Sequence, residues 1–261
     1  MYNFIVQAYA LYKGLFYWLS VAGFISNVFV RPIALVLMYA LLGRFAGNPV
    51  AVQDYVLGVA AYTMVIIVIP GITQSYTYDR GLGTLAFLYA SPANRFANFL
   101  SRTVFHYPNA LLSFATSLIT AWLIVGLNFG AVNWAGFIVA LLVTAASIAA
   151  FGQFLGIFAI IFRDWSNVQT VAVGVLLILT GTIIPLTVFP LGVQEGLKLL
   201  PITNGLAAIR EAFTGISLSE ISGNILREIL TGMVYFAVGY AGFLLFERVA
   251  KRRGTLELEA F

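Results

Sequence analysis

The sequence predicts an all-α integral membrane protein with six transmembrane helices. Three observations predict it. Hydrophobic residues make up 61% of the chain and charged residues only 9%, whereas a soluble domain carries roughly 25% charged residues. Much of the surface must therefore face lipid. Backbone groups in hydrocarbon have no water to bond, which leaves helices or a closed barrel. Apolar runs of about 20 residues, without the period-two alternation of barrel strands, select helices.

Composition also excludes some chemistry. The chain has no cysteine, so it holds no disulfide scaffold, thiolate metal site or cysteine nucleophile. With one histidine, His106, a zinc site of standard type is not expected. The net charge of +4 reads as a topology signal, not as a nucleic-acid footprint. Residues 1–12 carry no Lys or Arg, and no short apolar core precedes a small-residue cleavage site, so the start does not read as a cleaved signal peptide.

The elements follow in order. Over residues 1–22, Phe4, Ile5, Ala8, Leu11, Tyr12, Leu15, Phe16 and Leu19 recur at helical spacing, with Asn3, Gln7 and Lys13 elsewhere on the wheel. The tyrosines and Trp18 favour the headgroup zone. This predicts an N-terminal interfacial amphipathic helix; a first span that starts early is the alternative. Spans are expected at 27–46, 55–74, 99–127, 134–162, 168–189 and 225–246. Arg31 and Pro32 fall near the start of the first, where Arg31 can snorkel. Pro108 is expected to kink the third. Gly152 and Gly156 form a G-x-x-x-G pair in the fourth, a close-packing signal.

Two polar stretches interrupt the apolar runs. Residues 76–92 lie between the second and third spans. Residues 190–222 are too polar for a clean span and too apolar for a plain loop, which fits two short re-entrant helices broken at Pro201. The positive-inside rule tests this layout. With the N-terminus in the cytosol, all of the 14 basic residues except Arg44, Lys198, Arg210 and Arg227 fall inside. This expects both termini in the cytoplasm.

The order of these elements resembles the permease subunits of the type-2 ATP-binding-cassette exporters, over essentially the whole chain. Three stretches carry the resemblance. The first is Asp79-Arg80-Gly81-Leu82-Gly83-Thr84-Leu85, followed by Leu88 and Ser91-Pro92. In the family this region is a cytosolic coupling helix that docks on the ATPase subunit. Leu82, Leu85 and Leu88 fall roughly on one helical face, and Ser91-Pro92 provides a stop. The family usually carries Glu near position 79 and again after Thr-Leu; here Asp79 keeps the charge and Ala86 does not. The second stretch holds Pro185, Phe189, Pro190, Pro201 and Arg210, similar to the family's extracellular gate. The third is the basic tail Arg248, Lys251, Arg252, Arg253 with Gly254-Thr255-Leu256. A stop-transfer cluster against anionic lipid is the plainer reading of that tail, and contact with the ATPase subunit the sharper alternative.

The resemblance implies a permease that pairs with a second permease chain, identical or homologous, and with two copies of an ATPase subunit. It implies a multi-pass protein of a prokaryotic plasma membrane, in contact with lipid and not with nucleic acid. No stretch reads G-x-x-x-x-G-K-[ST] and no Lys follows a Gly, so the chain has no cradle for nucleotide phosphates. It is expected to be no enzyme and to hold no cofactor; ATP and Mg belong to the partner ATPase. The second and fifth spans are implied to line the path, with Thr63, Thr73, Gln74, Thr180, Thr182 and Thr187 as candidates. Hydroxyls bonded to backbone carbonyls are the plainer reading of the threonines. The implied cargo is hydrophobic or amphipathic: a drug, a lipid or a lipid-linked glycan. An ion-coupled secondary transporter or channel without an ATPase is the rival reading. The near-absence of ionisable residues in the expected span cores speaks against it.

Overall fold

The computed structural model describes residues 9, 21–45, 49–81, 83, 94–162 and 165–253. Among them every regular element is helical. Helix α1 is Val21–Phe45 and includes a π-helical turn at Ser26–Val30. Helix α2 is Pro49–Gly81. Helix α3, Arg95–Ser101, leads to α4, His106–Thr120, which ends in a second π-helical turn, Ala121–Val125. Helices α5, Trp134–Ile161, and α6, Trp165–Leu179, follow. Two short helices, α7 at Leu191–Leu197 and α8 at Thr203–Phe213, precede α9, Leu218–Arg253.

Five of these segments are long and apolar enough to cross a membrane: α1, α2, Arg95–Val125, α5 and α9. Helix α6 is apolar but shorter. The sequence predicts a span from 168 to 189 there, yet regular helix stops at Leu179. Gly181 adopts a left-handed conformation at φ +79°, which glycine enters without a Cβ clash. Pro185 and Pro190 then lack the N–H that a continuing helix needs.

Helix α2 is the axis of the bundle. In its most apolar window 83% of residues are buried, against 17% for α1 and 22% for α9. It packs against α1, α4 and α5, while α9 packs on α5 and α8. Small residues set the α2–α5 contact. A Cβ on Gly152 would meet Ile72, and one on Gly156 would have no room beside the Tyr76 ring. The G-x-x-x-G pair thus lets α5 approach α2 closely, the way such pairs operate in lipid.

The expected third span is broken, and not at Pro108. The break lies at residues 102–105, and Pro108 sits in the first turn of α4. A missing N–H has no cost there, because the first four donors of a helix lack intrahelical acceptors. Gln153 of α5 stitches the break from outside. Its amide donates to Phe99 O at 2.7 Å and to Thr103 Oγ1 at 2.6 Å, and its oxygen accepts from Tyr76 Oη at 2.7 Å.

Candidate functional site

The two ends of α2 carry different machinery. At the Asp79 end, α2 stops at Gly81, Gly83 stands at φ +67°, and the described chain resumes at Asn94. The Asn94 side chain caps α3 by accepting from Phe96 N and Ala97 N. Both flanks are tied down by ion pairs. Asp79 pairs with Arg102 in the α3–α4 break, and Arg102 also donates to Ser75 Oγ at 3.1 Å. Arg95 Nε meets Glu247 Oε1 of α9 at 2.8 Å. The backbone of Arg80 completes the last turn of α2. Thr84, Leu85, Leu88 and Pro92 lie outside the described residues, as do nearly all of residues 1–20, where the interfacial helix is expected.

The opposite end gathers around Arg210. Its guanidinium donates to Gly181 O at 2.9 Å, to Asp54 O at 2.8 Å and to Thr182 O at 3.3 Å. One side chain of α8 thereby holds the start of α2 and the stretch that follows α6. Gly58 lets that stretch come close, since a Cβ there would collide with Thr182 O. Pro185 precedes a single 3-10 turn, Leu186–Val188, and Pro190 caps α7. Phe189 O accepts from Gln194 Nε2 at 2.7 Å. Pro201 is buried in the break between α7 and α8.

That break carries a feature the sequence reading missed. Ile202 stands at φ +74°, a conformation that costs a β-branched residue roughly 1–2 kcal/mol. The carboxylate of Glu228 holds it there, accepting from Ile202 N at 2.7 Å and Gly205 N at 2.9 Å. Glu228 is wholly buried on α9, and these are the orphan donors at the start of α8.

Between these ends a cavity of about 480 Å³ opens among α1, α2, α4 and α6. Gln74 and Tyr78 reach it from α2, His106 and Asn109 from α4, and Gln169 and Thr170 from α6. Asn27 and Arg31 reach it from α1. Of the hydroxyls and amides expected on the path, Gln74 lines this cavity, and Thr73 sits just behind it, its hydroxyl bonded to Gln169 Oε1. Thr63 is buried and bonds to Ala60 O at 2.6 Å. Thr180 bonds to Leu176 O at 2.6 Å and lies 3.0 Å from the Thr182 hydroxyl. Thr187 is exposed on the 3-10 turn. None of these three positions, 63, 180 or 187, touches the cavity, and neither does Thr182.

The placement of Arg31 differs from the sequence expectation. Helix α1 begins at Val21, well upstream of position 27. Arg31 therefore lies some 15 Å of helix rise from that end and not in its first turn. The signal was the apolar run Val21-Ala-Gly-Phe-Ile25, which joins the span once Ser26 and Asn27 are accepted inside it.

The comparisons agree with this architecture. No curated protein sequence matches the chain. A family model described as ABC-2 type transporter matches residues 11–214, which takes in α1 to α8 and the cavity. With its apolar helical bundle, the chain belongs to the ABC-2 type transporter family, as a multi-pass membrane permease.

Proposed function

We propose that this permease is the membrane-spanning half of an ATP-driven exporter, working as a pair of permease chains with two ATPase subunits. The segment between Gly81 and Asn94 is the coupling element. The observation that carries this is the pair of flanking ion pairs, Asp79 with Arg102 and Arg95 with Glu247. A segment pushed by another protein transmits work only if its ends cannot give. Here one end is fixed to the α3–α4 break and the other to α9, so displacement of the segment moves α2, α4 and α9 together. A solvated loop with no mechanical duty has no need of such anchors.

On this reading the Asp79 end faces the cytosol and the Arg210 end faces outward. ATP binding closes the ATPases and the coupling segment carries that movement into the bundle. The cargo is hydrophobic or amphipathic and passes beside α2 and α6, where Gln74 and Gln169 already face a cavity. The outer end opens near residues 189–215, with Arg210 as its latch. The membrane is the plasma membrane of a prokaryote.

The test uses the chain co-expressed with an ABC ATPase subunit from the same genome. Leu85→Asp with Leu88→Asp should abolish co-purification with the ATPase, while the variant keeps the elution profile and melting temperature of the parent. Full-rate transport by the permease alone, in vesicles free of any ATPase, would overturn the proposal.

A further inference from the structure

Arg31 is a cation in the middle of an apolar span, and its neighbourhood is built to keep it there. Pro32 follows it directly. A proline inside a regular helix clashes with the carbonyl four residues back and withholds a donor. The π-helical turn at Ser26–Val30 absorbs this, and the Arg31 N–H bonds to Ser26 O across the wider turn. Single π turns inside helices recur at functional sites. The turn also presents Asn27 and Arg31 to the same cavity.

No acidic side chain among the described residues answers the charge. No Asp or Glu lines the cavity, and no ion pair to Arg31 exists among the described residues. Tyr62 of α2 lines the same cavity. An ionisable side chain within an apolar span ordinarily pairs with something, and that of Arg31 is exposed on α1. Here the surroundings supply polar, uncharged groups: Asn27, Gln74, Asn109 and Gln169. The rest of the wall is apolar, with Phe24, Val28, Ile66 and Val173. On the same two helices that flank the cavity, α1 and α6, Val21, Ile25, Val171 and Val175 are exposed.

We infer that the cavity among α1, α2, α4 and α6 binds the anionic headgroup of an amphiphile, with Arg31 as the charge-bearing contact. A planar guanidinium with its fork of donors suits phosphate or carboxylate oxygens. The amide NH2 groups of Gln74 and Gln169, which line the same cavity, supply further donors to the same oxygens. The apolar rim receives the chain of the amphiphile, which a free inorganic ion would leave unused. This deepens the exporter reading, on which it rests for the ligand's role as cargo, but the binding itself needs no ATPase.

The experiment therefore uses the purified full-length permease without its partner. Dioctanoyl phosphatidylglycerol, dioctanoyl phosphatidylcholine and inorganic phosphate are titrated separately, and binding is read from the shift in melting temperature. The anionic lipid should bind, the zwitterionic lipid should bind at least about tenfold more weakly, and inorganic phosphate should give no shift. Arg31→Gln should weaken phosphatidylglycerol binding by about tenfold or more, the scale of one charge-assisted contact. Arg31→Lys should retain most of it. Asn109→Leu, which leaves Arg31 in place, should weaken it less than Arg31→Gln. Unchanged phosphatidylglycerol binding in Arg31→Gln, equal binding of the two lipids, or a shift from phosphate alone would each overturn the inference. Any of these would leave the coupling variants at Leu85 and Leu88 unaffected, so the two failures are separable.

Discussion

The guanidinium of Arg102 is enclosed between Asp79, with which it forms an ion pair, and the ring of Tyr76, whose centre lies 4.1 Å from the guanidinium carbon. The Arg102 side chain has no exposed surface, while 17% of the Asp79 side chain remains open. Among the described residues, Asp79 is the carboxylate paired with this cation near the end of α2. Asp79→Asn keeps the shape and removes the charge. Breaking a buried pair by removing one partner typically costs about 3–5 kcal/mol, and the partial exposure of Asp79 places this case at the lower end. We expect a loss of thermal stability for Asp79→Asn that Asp79→Glu does not reproduce in full. The double variant Asp79→Asn with Arg102→Met should recover part of it, since no uncompensated charge is left behind. A double variant no more stable than the single one would show that the pair is not the source of the effect.

Arg210 makes a different kind of contact, with backbone and not chiefly with charge. It donates to the carbonyls of Gly181, Thr182 and Asp54, and Asp54 Oδ1 lies 3.9 Å from its Nε. The carbonyls after Leu179 are those freed by the end of α6. Lysine cannot bridge all three, because its ammonium is one compact point. Arg210→Lys should therefore resemble Arg210→Met more than it resembles the parent. Each lost bond to a charged donor is worth about 1.5–3 kcal/mol. Hydrogen exchange should accelerate over residues 180–190 in both variants and stay unchanged in the core of α5. Exchange at parental rates in Arg210→Met would remove Arg210 as the latch.

These two clusters show where sequence reading reaches and where it stops. The helices were legible because 20-residue apolar runs admit one solution in lipid. The interruption at Pro201 was legible because the flanking segments mix polarity and lack length. The break at 102–105 was not. Arg102 interrupts an apolar run only once, and the residue that neutralises it lies 23 positions away in another helix. Periodicity reports which face of a helix is apolar; it does not report which distant group answers a charge. The same limit hid Glu228. A glutamate ten residues into a long amphipathic helix reads as a solvated face until the orphan donors of α8 are placed against it. Arg31 was placed at the start of its helix because the start of α1 was drawn at the polar pair Ser26-Asn27, which the π-helical turn in fact contains.

The natural absence of cysteine makes orientation directly testable. Ser219, near the start of α9, and Arg248, near its end, are both exposed, and α9 is long enough to cross the membrane. Opposite ends of one crossing helix must lie on opposite sides. Ser219→Cys should react with a membrane-impermeant maleimide in intact cells, and Arg248→Cys should react only after permeabilisation. Placing the basic end in the cytoplasm is what the positive-inside rule requires. The reverse pattern would invert the topology and put the Asp79 end, with its coupling segment, out of reach of any cytosolic ATPase.

Glu228 and Ile202 pose the remaining question, namely what keeps a β-branched residue left-handed in the break before α8. Left alone, Ile202 would relax, and the donors at the start of α8 would be left without acceptors inside the protein. The carboxylate answers both, because its two oxygens accept from Ile202 N and Gly205 N, positions that straddle the first turn. Glu228→Ala removes both acceptors, at about 1–3 kcal/mol for each buried donor left unsatisfied. Glu228→Gln retains one oxygen but turns an NH2 toward the other donor, so it can satisfy only one. The expected order of melting temperature is therefore parent, then Glu228→Gln, then Glu228→Ala. Hydrogen exchange should rise over residues 198–206 in the same order. Because Arg210 is carried on the same short helix, its hold on Gly181 should loosen as well, and exchange over 180–184 should rise with it. If α8 were instead held by its apolar face alone, through Leu206, Ile209 and Phe213, all three proteins would exchange alike in both stretches.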